Sequence, residues 1–99
     1  DRIKEIGEAV DVPLVLHGGS GTPPDQMQQA IAAGITKINV GTRLKHVFGG
    51  ALKAAVVEGE DPNLLYGSRA PQDVNSRAAA ALTAEVQRLM QVFGSSGKA

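Results

Sequence analysis

Val12-Pro13-Leu14-Val15-Leu16-His17-Gly18-Gly19-Ser20-Gly21-Thr22-Pro23-Pro24-Asp25 decides how this chain is to be read. Its first five residues are an unbroken apolar run, the pattern of a strand covered on both faces in a parallel sheet, with Pro13 tolerable at the start. The run empties into a glycine-rich loop that opens with a histidine. Thr22, Pro23 and Asp25 then read as a helix start: Thr22 as N-cap, Pro23 at the first helical position and an acid three residues after the cap. Met27, Ala30 and Ile31 give that helix an apolar stripe, and Gly34 is placed to stop it.

Working outward, the same unit recurs. Ile35-Thr36-Lys37-Ile38-Asn39-Val40 reads as a second strand, leading through Gly41-Thr42 into a helix over about 44–57. Leu44, Val47, Phe48, Leu52 and Val56 mark the inner face of that helix. A turn-rich break follows at Glu58-Gly59-Glu60-Asp61-Pro62-Asn63. A long helix is expected from Asp73 to Phe93, with Val74, Ala78, Leu82, Val86, Leu89 and Phe93 spaced by three and four, its stripe packing on a barrel or a neighbouring subunit. Gly94 to Ala99 reads as a flexible tail. Upstream, Ile3, Ile6 and Val10 place the first residues in a helix, so that the chain opens inside an element and without methionine, an opening expected of a truncated chain more often than of a processed native one.

Two strands each followed by a helix make about a quarter of an eight-fold β/α barrel. Two parallel strands leave most of their edge groups without partners, so the segment reads as incomplete. A flavodoxin-like or other doubly wound sheet fits the alternation too, and equally needs further strands.

Composition sets the outer bounds. Ten basic and ten acidic residues among 99 cancel, which argues against a nucleic-acid partner. No apolar run approaches the roughly 20 residues that span a bilayer, and the charged start Asp1-Arg2-Ile3-Lys4-Glu5 is no signal peptide. Without cysteine, a metal must be held by histidine or carboxylate. A cytoplasmic location is the default expectation.

Chemistry concentrates at the two strand-to-helix junctions, the end of a parallel sheet where ligands bind. At the first, Gly18, Gly19 and Gly21 let backbone N–H groups approach an anion, Ser20 adds a hydroxyl, and the following helix start adds its dipole. The same glycines suit a plain tight turn. His17, at the mouth of the strand, suits a metal ligand, an acid–base group or a structural residue. At the second, Asn39 offers an amide to a carbonyl or hydroxyl, while the Gly41 and Thr42 N–H groups and the Thr42 hydroxyl can hold phosphate oxygens. Thr42 would serve as an ordinary N-cap in the same position. Two consecutive donor-rich junctions match the way β/α barrels build a phosphate site after strands seven and eight.

These residues resemble the class II fructose- and tagatose-bisphosphate aldolases. The resemblance is carried by Val15-Leu16-His17-Gly18-Gly19-Ser20-Gly21, by Lys37-Ile38-Asn39-Val40 with Thr42, by the spacing between them, and by the ending Phe93-Gly94-Ser95-Ser96-Gly97-Lys98-Ala99. It implies the last two β/α units and terminal helices of a TIM (β/α)8 barrel, with residues 1–99 as the C-terminal part of one barrel domain. It also implies a zinc-dependent lyase that cleaves a ketose 1,6-bisphosphate, of fructose or tagatose type, to dihydroxyacetone phosphate and glyceraldehyde 3-phosphate. On that resemblance His17 matches a zinc ligand, and Gly18 and Ser20 match the loop that holds the phosphate beside a monovalent cation, Na+ or K+. Asn39 matches the catalytic residue near the triose carbonyl, and Gly41 with Thr42 completes the cradle. The complete enzyme is expected to be a homo-oligomer, and this chain to need the remainder of the barrel.

A catalytic zinc takes about three protein ligands, and His17 is the one nominated here, so the chain alone is expected to be inactive. Arg43 departs from the family's frequent acid at that position and could aid an anion or be solvated. The stretch Tyr66 to Gln72 departs as well. Arg69 and Arg77 are expected on solvated surface, the alternative that the resemblance implies being that one of them reaches a neighbour's active site, and His46 is expected as structural or surface. A hydrolase reading of His17-Gly18-Gly19 lacks a Gly-x-Ser-x-Gly elbow, and a P-loop lacks its lysine. The non-catalytic alternative is a phosphate-binding or assembly module derived from such a barrel.

Overall fold

The computed structural model describes residues 1–98, so Ala99 of the expected tail lies outside the described residues. Among them are five helices and two strands: α1 Arg2–Ala9, β1 Leu14–Leu16, α2 Pro24–Ala32, β2 Ile35–Ile38, α3 Thr42–Glu58, α4 Pro62–Leu65 and α5 Val74–Phe93. The chain divides into two compact units, Asp1–Thr42 with Leu89–Ala99, and Arg43–Arg88. None of these helices is long and apolar enough to cross a membrane.

In the first unit β1 and β2 pair in parallel, Leu14 opposite Ile35, Val15 opposite Lys37 and Leu16 opposite Ile38. The register steps by one residue between Leu14 and Val15, leaving Thr36 without a partner. Its hydroxyl donates to the Leu14 carbonyl at 3.0 Å, so the irregularity does not strand that acceptor. Both strands are shorter than the apolar runs suggested, but pairing continues past them. Asn39 N–H donates to Leu16 C=O at 3.0 Å, and Gly19 N–H to Asn39 C=O at 3.1 Å. Met27, Ala30 and Ile35 form the buried apolar centre of this unit.

Helix α2 starts one residue later than its sequence suggests, with Pro23 at the cap and Pro24 inside. The second proline is the cause. A residue that precedes proline is pushed out of the helical region, and Pro23 sits at φ −59°, ψ 148°.

The second unit is organised around Ala55, Leu65 and Val74, with Leu52 packed against them. Here the inner face of α3 differs from the expected one: Val56 is exposed, while its smaller neighbour Ala55 is fully buried. The short helix α4, within the stretch that reads as a turn, explains the shift. Asp61 caps it by accepting the Asn63 N–H at 2.9 Å, and Leu65 then lies so close to Gly59 that a Cβ there would stand 2.5 Å from it. The divergent stretch before α5 is held by one buried carboxylate. Asp73 accepts the Ser68 N–H at 3.0 Å and the Asn75 N–H at 2.9 Å. Burial opposes its ionisation, but backbone N–H groups of Asn75, Ser76, Ser68 and Gly67 together hold its carboxyl below the usual range.

The tail is ordered further than expected as far as Lys98. Gly94 N–H bonds Gln91 C=O and Ser95 N–H bonds Met90 C=O, the paired closure of a Schellman motif, with Gly94 at φ 72°.

Candidate functional site

The continuation of sheet pairing beyond β1 and β2 builds the site. Because Asn39 and Gly19 are locked to each other and to Leu16 by backbone bonds, the two junction loops leave the sheet side by side. Gly18 turns the first loop at φ 72°, ψ 33°, a left-handed conformation that favours glycine. Gly19 is buried beneath it. A Cβ there would stand 2.7 Å from the Ile38 Cγ2 and 3.2 Å from the Met27 Cε, so the loop descends onto the sheet only because that atom is missing. Residues Gly19–Gly21 then form a single 3-10 turn.

Between the loops lies an open cavity of about 740 Å³, lined by Gly18, Ser20, Gly21, Ile38, Asn39, Val40, Gly41 and Thr42. Gly18, Ser20, Gly21, Asn39, Gly41 and Thr42, all expected from the sequence to meet a ligand, border it, whereas Gly19, expected to offer its N–H to an anion, does not, because that N–H is spent on the Asn39 carbonyl at 3.1 Å. Thr42 begins α3 itself, so it brings a first-turn N–H that the helix leaves unpaired, together with its hydroxyl. A helix start and a glycine turn bordering one cavity are the elements from which anion sites are built.

His17 does not line this cavity but is coupled to it. The Asn39 Nδ2 lies 3.1 Å from the His17 Nδ1, bringing together the two side chains singled out at the strand ends. With the amide donating, a neutral ring carries its proton on Nε2. With the amide turned over, its carbonyl oxygen accepts from Nδ1–H and Nε2 keeps a lone pair.

In the second arrangement the imidazole fits one place in a metal's coordination shell through Nε2, with Asn39 as the neighbour that sets its tautomer. It fits one place only, because among the described residues no group of three or more His, Cys, Asp or Glu is arranged to hold an ion. His46 is exposed on α3, and Arg69 is exposed as well. Arg77 is half-buried and pairs with Glu58 at 2.7 Å.

Sequence reasoning missed one feature. Arg43 is neither bare surface nor aimed only at an anion: its Nε donates to Glu85 Oε1 at 2.9 Å. Glu85 is 7% exposed, and it also receives Arg88 Nε at 3.0 Å and Nη2 at 2.7 Å. The hydrogen bonds from Arg88 and then Arg43 outweigh the cost of burial and push its carboxyl down to about 2. The available signal was weak: Glu85 lies seven residues, two turns, beyond Ala78, on the same face.

The class these features define is a β/α protein with an open cavity between the loops at two adjacent parallel strand ends. Comparison with known proteins narrows it. The family model described as fructose-bisphosphate aldolase class-II matches residues 1–98, and the chain belongs to that family. Among solved structures it is similar to the YdjI aldolase from Escherichia coli K12, with 31% sequence identity over 98% of this chain and a TM-score of 0.81. The chain spans 33% of the length of that aldolase chain.

Proposed function

We propose that this chain is the C-terminal part of a class II ketose-bisphosphate aldolase, supplying the last two β/α units of a TIM barrel, one zinc ligand and the phosphate cradle. The observation that carries the reading is the His17–Asn39 contact at 3.1 Å beside a cavity edged by glycine and helix-start N–H groups. A candidate metal ligand, a carbonyl-orienting amide and a phosphate receptor then occupy neighbouring positions, as cleavage of a phosphorylated ketose requires.

The surface supports the incomplete-barrel part of the reading. A folded monomer of 10.2 kDa exposes about 5,300 Å², whereas this chain exposes 7065 Å². Val12 is 65% exposed and Val15, within β1, is 43% exposed. Adjoining strands and helices would cover both.

Each residue has a definite task in this reading. Backbone N–H groups around Gly18, Ser20 and Gly41, the Ser20 hydroxyl, and the N–H and hydroxyl of Thr42 bind the phosphate of the ketose and fix its depth. A monovalent cation, Na+ or K+, would border that loop and balance phosphate charge. Asn39 orients the carbonyl and hydroxyl oxygens nearest the phosphate, and it sets the tautomer of His17. The class II family is generally zinc-dependent; the zinc, held by His17 and by ligands from outside this chain, supplies Lewis-acid polarisation of the ketone. Proton transfer falls to a carboxylate that this chain does not provide. The substrate is a ketose 1,6-bisphosphate of fructose or tagatose type, the enzyme a cytoplasmic homo-oligomer.

The test is cleavage of fructose and tagatose 1,6-bisphosphates by the assembled barrel, with zinc content read by native mass spectrometry. His17→Ala should lose bound zinc and lower cleavage by more than about a hundredfold, above the loss typical of a residue behind a ligand. Full activity in that variant would sink the proposal. Phosphate binding without any cleavage would favour the module reading, which rests on His17 being a solitary ligand.

A further inference from the structure

The buried Glu85 takes no part in the chemistry above, yet it sits in the apolar stripe of α5, where a valine or leucine would pack at lower cost. Its two guanidinium partners show what the position achieves. Arg88 lies one turn further along the same helix and grips both carboxylate oxygens, Nε on Oε2 and Nη2 on Oε1. The carboxylate is thereby held fixed on α5, with Oε1 also receiving Arg43.

Arg43 is the second residue of α3 and directly follows Thr42. A cation in the first turn of a helix opposes the helix dipole, and α3 has no acidic residue there to offset it. Glu85, 42 residues along the chain, brings a carboxylate to it.

We propose that Glu85 is a positioning residue for the phosphate cradle: through Arg43 it fixes the first turn of α3 and so the placement of the Thr42 N–H and hydroxyl. This rests on the reading of the Gly18–Thr42 cavity as a phosphate site. The Arg43 link is short, because a peptide bond separates it from Thr42, and its geometry is specific, because the planar guanidinium approaches Oε1 through Nε.

The experiment titrates inorganic phosphate calorimetrically into the assembled barrel and into the Glu85→Gln, Arg43→Lys and Leu52→Ala variants, with thermal unfolding followed alongside. Glu85→Gln raises local positive charge, and Arg43→Lys leaves it unchanged. If charge alone mattered, the first would bind phosphate more tightly and the second as before. Positioning requires both to bind more weakly, by about fivefold for Glu85→Gln, the scale of a well-set helix N-terminus, and by a smaller factor for Arg43→Lys, which cannot reproduce the fork. Leu52→Ala weakens the same unit without touching the carboxylate and should keep its phosphate affinity.

Tighter or unchanged binding in Glu85→Gln overturns the proposal, as does equal loosening in Leu52→Ala. Where Glu85→Gln does not fold, Arg43→Lys decides: loosened binding supports the proposal and unchanged binding overturns it. Failure of the unmodified protein to bind phosphate at all would instead remove the cradle reading on which the proposal stands.

Discussion

The two compact units solve the problem of fixing a polar group by opposite means. In the unit containing Asp1–Thr42, backbone does the fixing: Gly18 turns, Gly19 presses onto Ile38, and Asn39 and Gly19 are locked by main-chain bonds, so that the two loops border one cavity. In the unit Arg43–Arg88, buried carboxylates do it. Asp73 gathers the loop before α5, and Glu85 gathers two arginines. Main-chain donors bring no negative charge toward an anion, whereas fixed carboxylates would repel it, so the first means suits the borders of the proposed phosphate site and the second does not.

The largest expected effect tests the backbone side of this contrast. Gly19→Val places side-chain atoms where a Cβ alone would stand 2.7 Å from Ile38, and should cost about 1–3 kcal/mol, the range for an overpacked core. Phosphate affinity should fall with it. Chemical denaturation with a phosphate titration measures both, and a fully stable Gly19→Val would show that the close approach is dispensable.

Acid should find the other unit. The Glu85 carboxyl is held at about 2 against an ordinary 4.5, so the unfolded chain takes up its proton first as pH falls. The stabilisation is complete above about pH 4.5 and is lost progressively toward pH 2. Asp73, also held low, acts in the same direction. Melting temperatures between pH 6 and pH 2.5 should drop, with a shallower slope in Glu85→Gln. An identical slope in that variant would mean that the arginine pair does not govern acid stability.

The smallest effect is predicted at Arg69, which is exposed and holds φ at 59°. Replacing it with glycine removes a left-handed penalty of about 1–2 kcal/mol and adds glycine's chain entropy of roughly 0.5–1 kcal/mol. A net gain between about 0 and 1.5 kcal/mol should appear as a slightly raised melting temperature. A lowered one would show that the Arg69 side chain contributes a contact worth more than the strain.

Much of the site was legible because its physics is local. Apolar runs ending in glycine, histidine and asparagine mark strand ends, and a glycine required at positive φ or in a close approach leaves its own letter in the chain. Boundaries were less so. Pro23 was displaced from α2 by the proline after it, a rule that is local but competes with the helix-start preference for proline. The face of α3 could not be read from periodicity, because Val56 and Ala55 are adjacent and only the arrival of Leu65 selected the smaller one. At Glu85 periodicity favoured its neighbour Val86, since apolar residues are the ones expected inside.

By itself, then, the sequence determined the β/α alternation, the two donor-rich junctions and the family to which they belong, since each depends on residues close together in the chain. Tertiary structure alone decided that Asn39 meets His17 across 22 positions, and that Arg43 meets Glu85 across 42. The reason is physical. The partner of a charge or an amide is set by which elements pack together, and nothing in the spacing of either residue along the chain carries that distance.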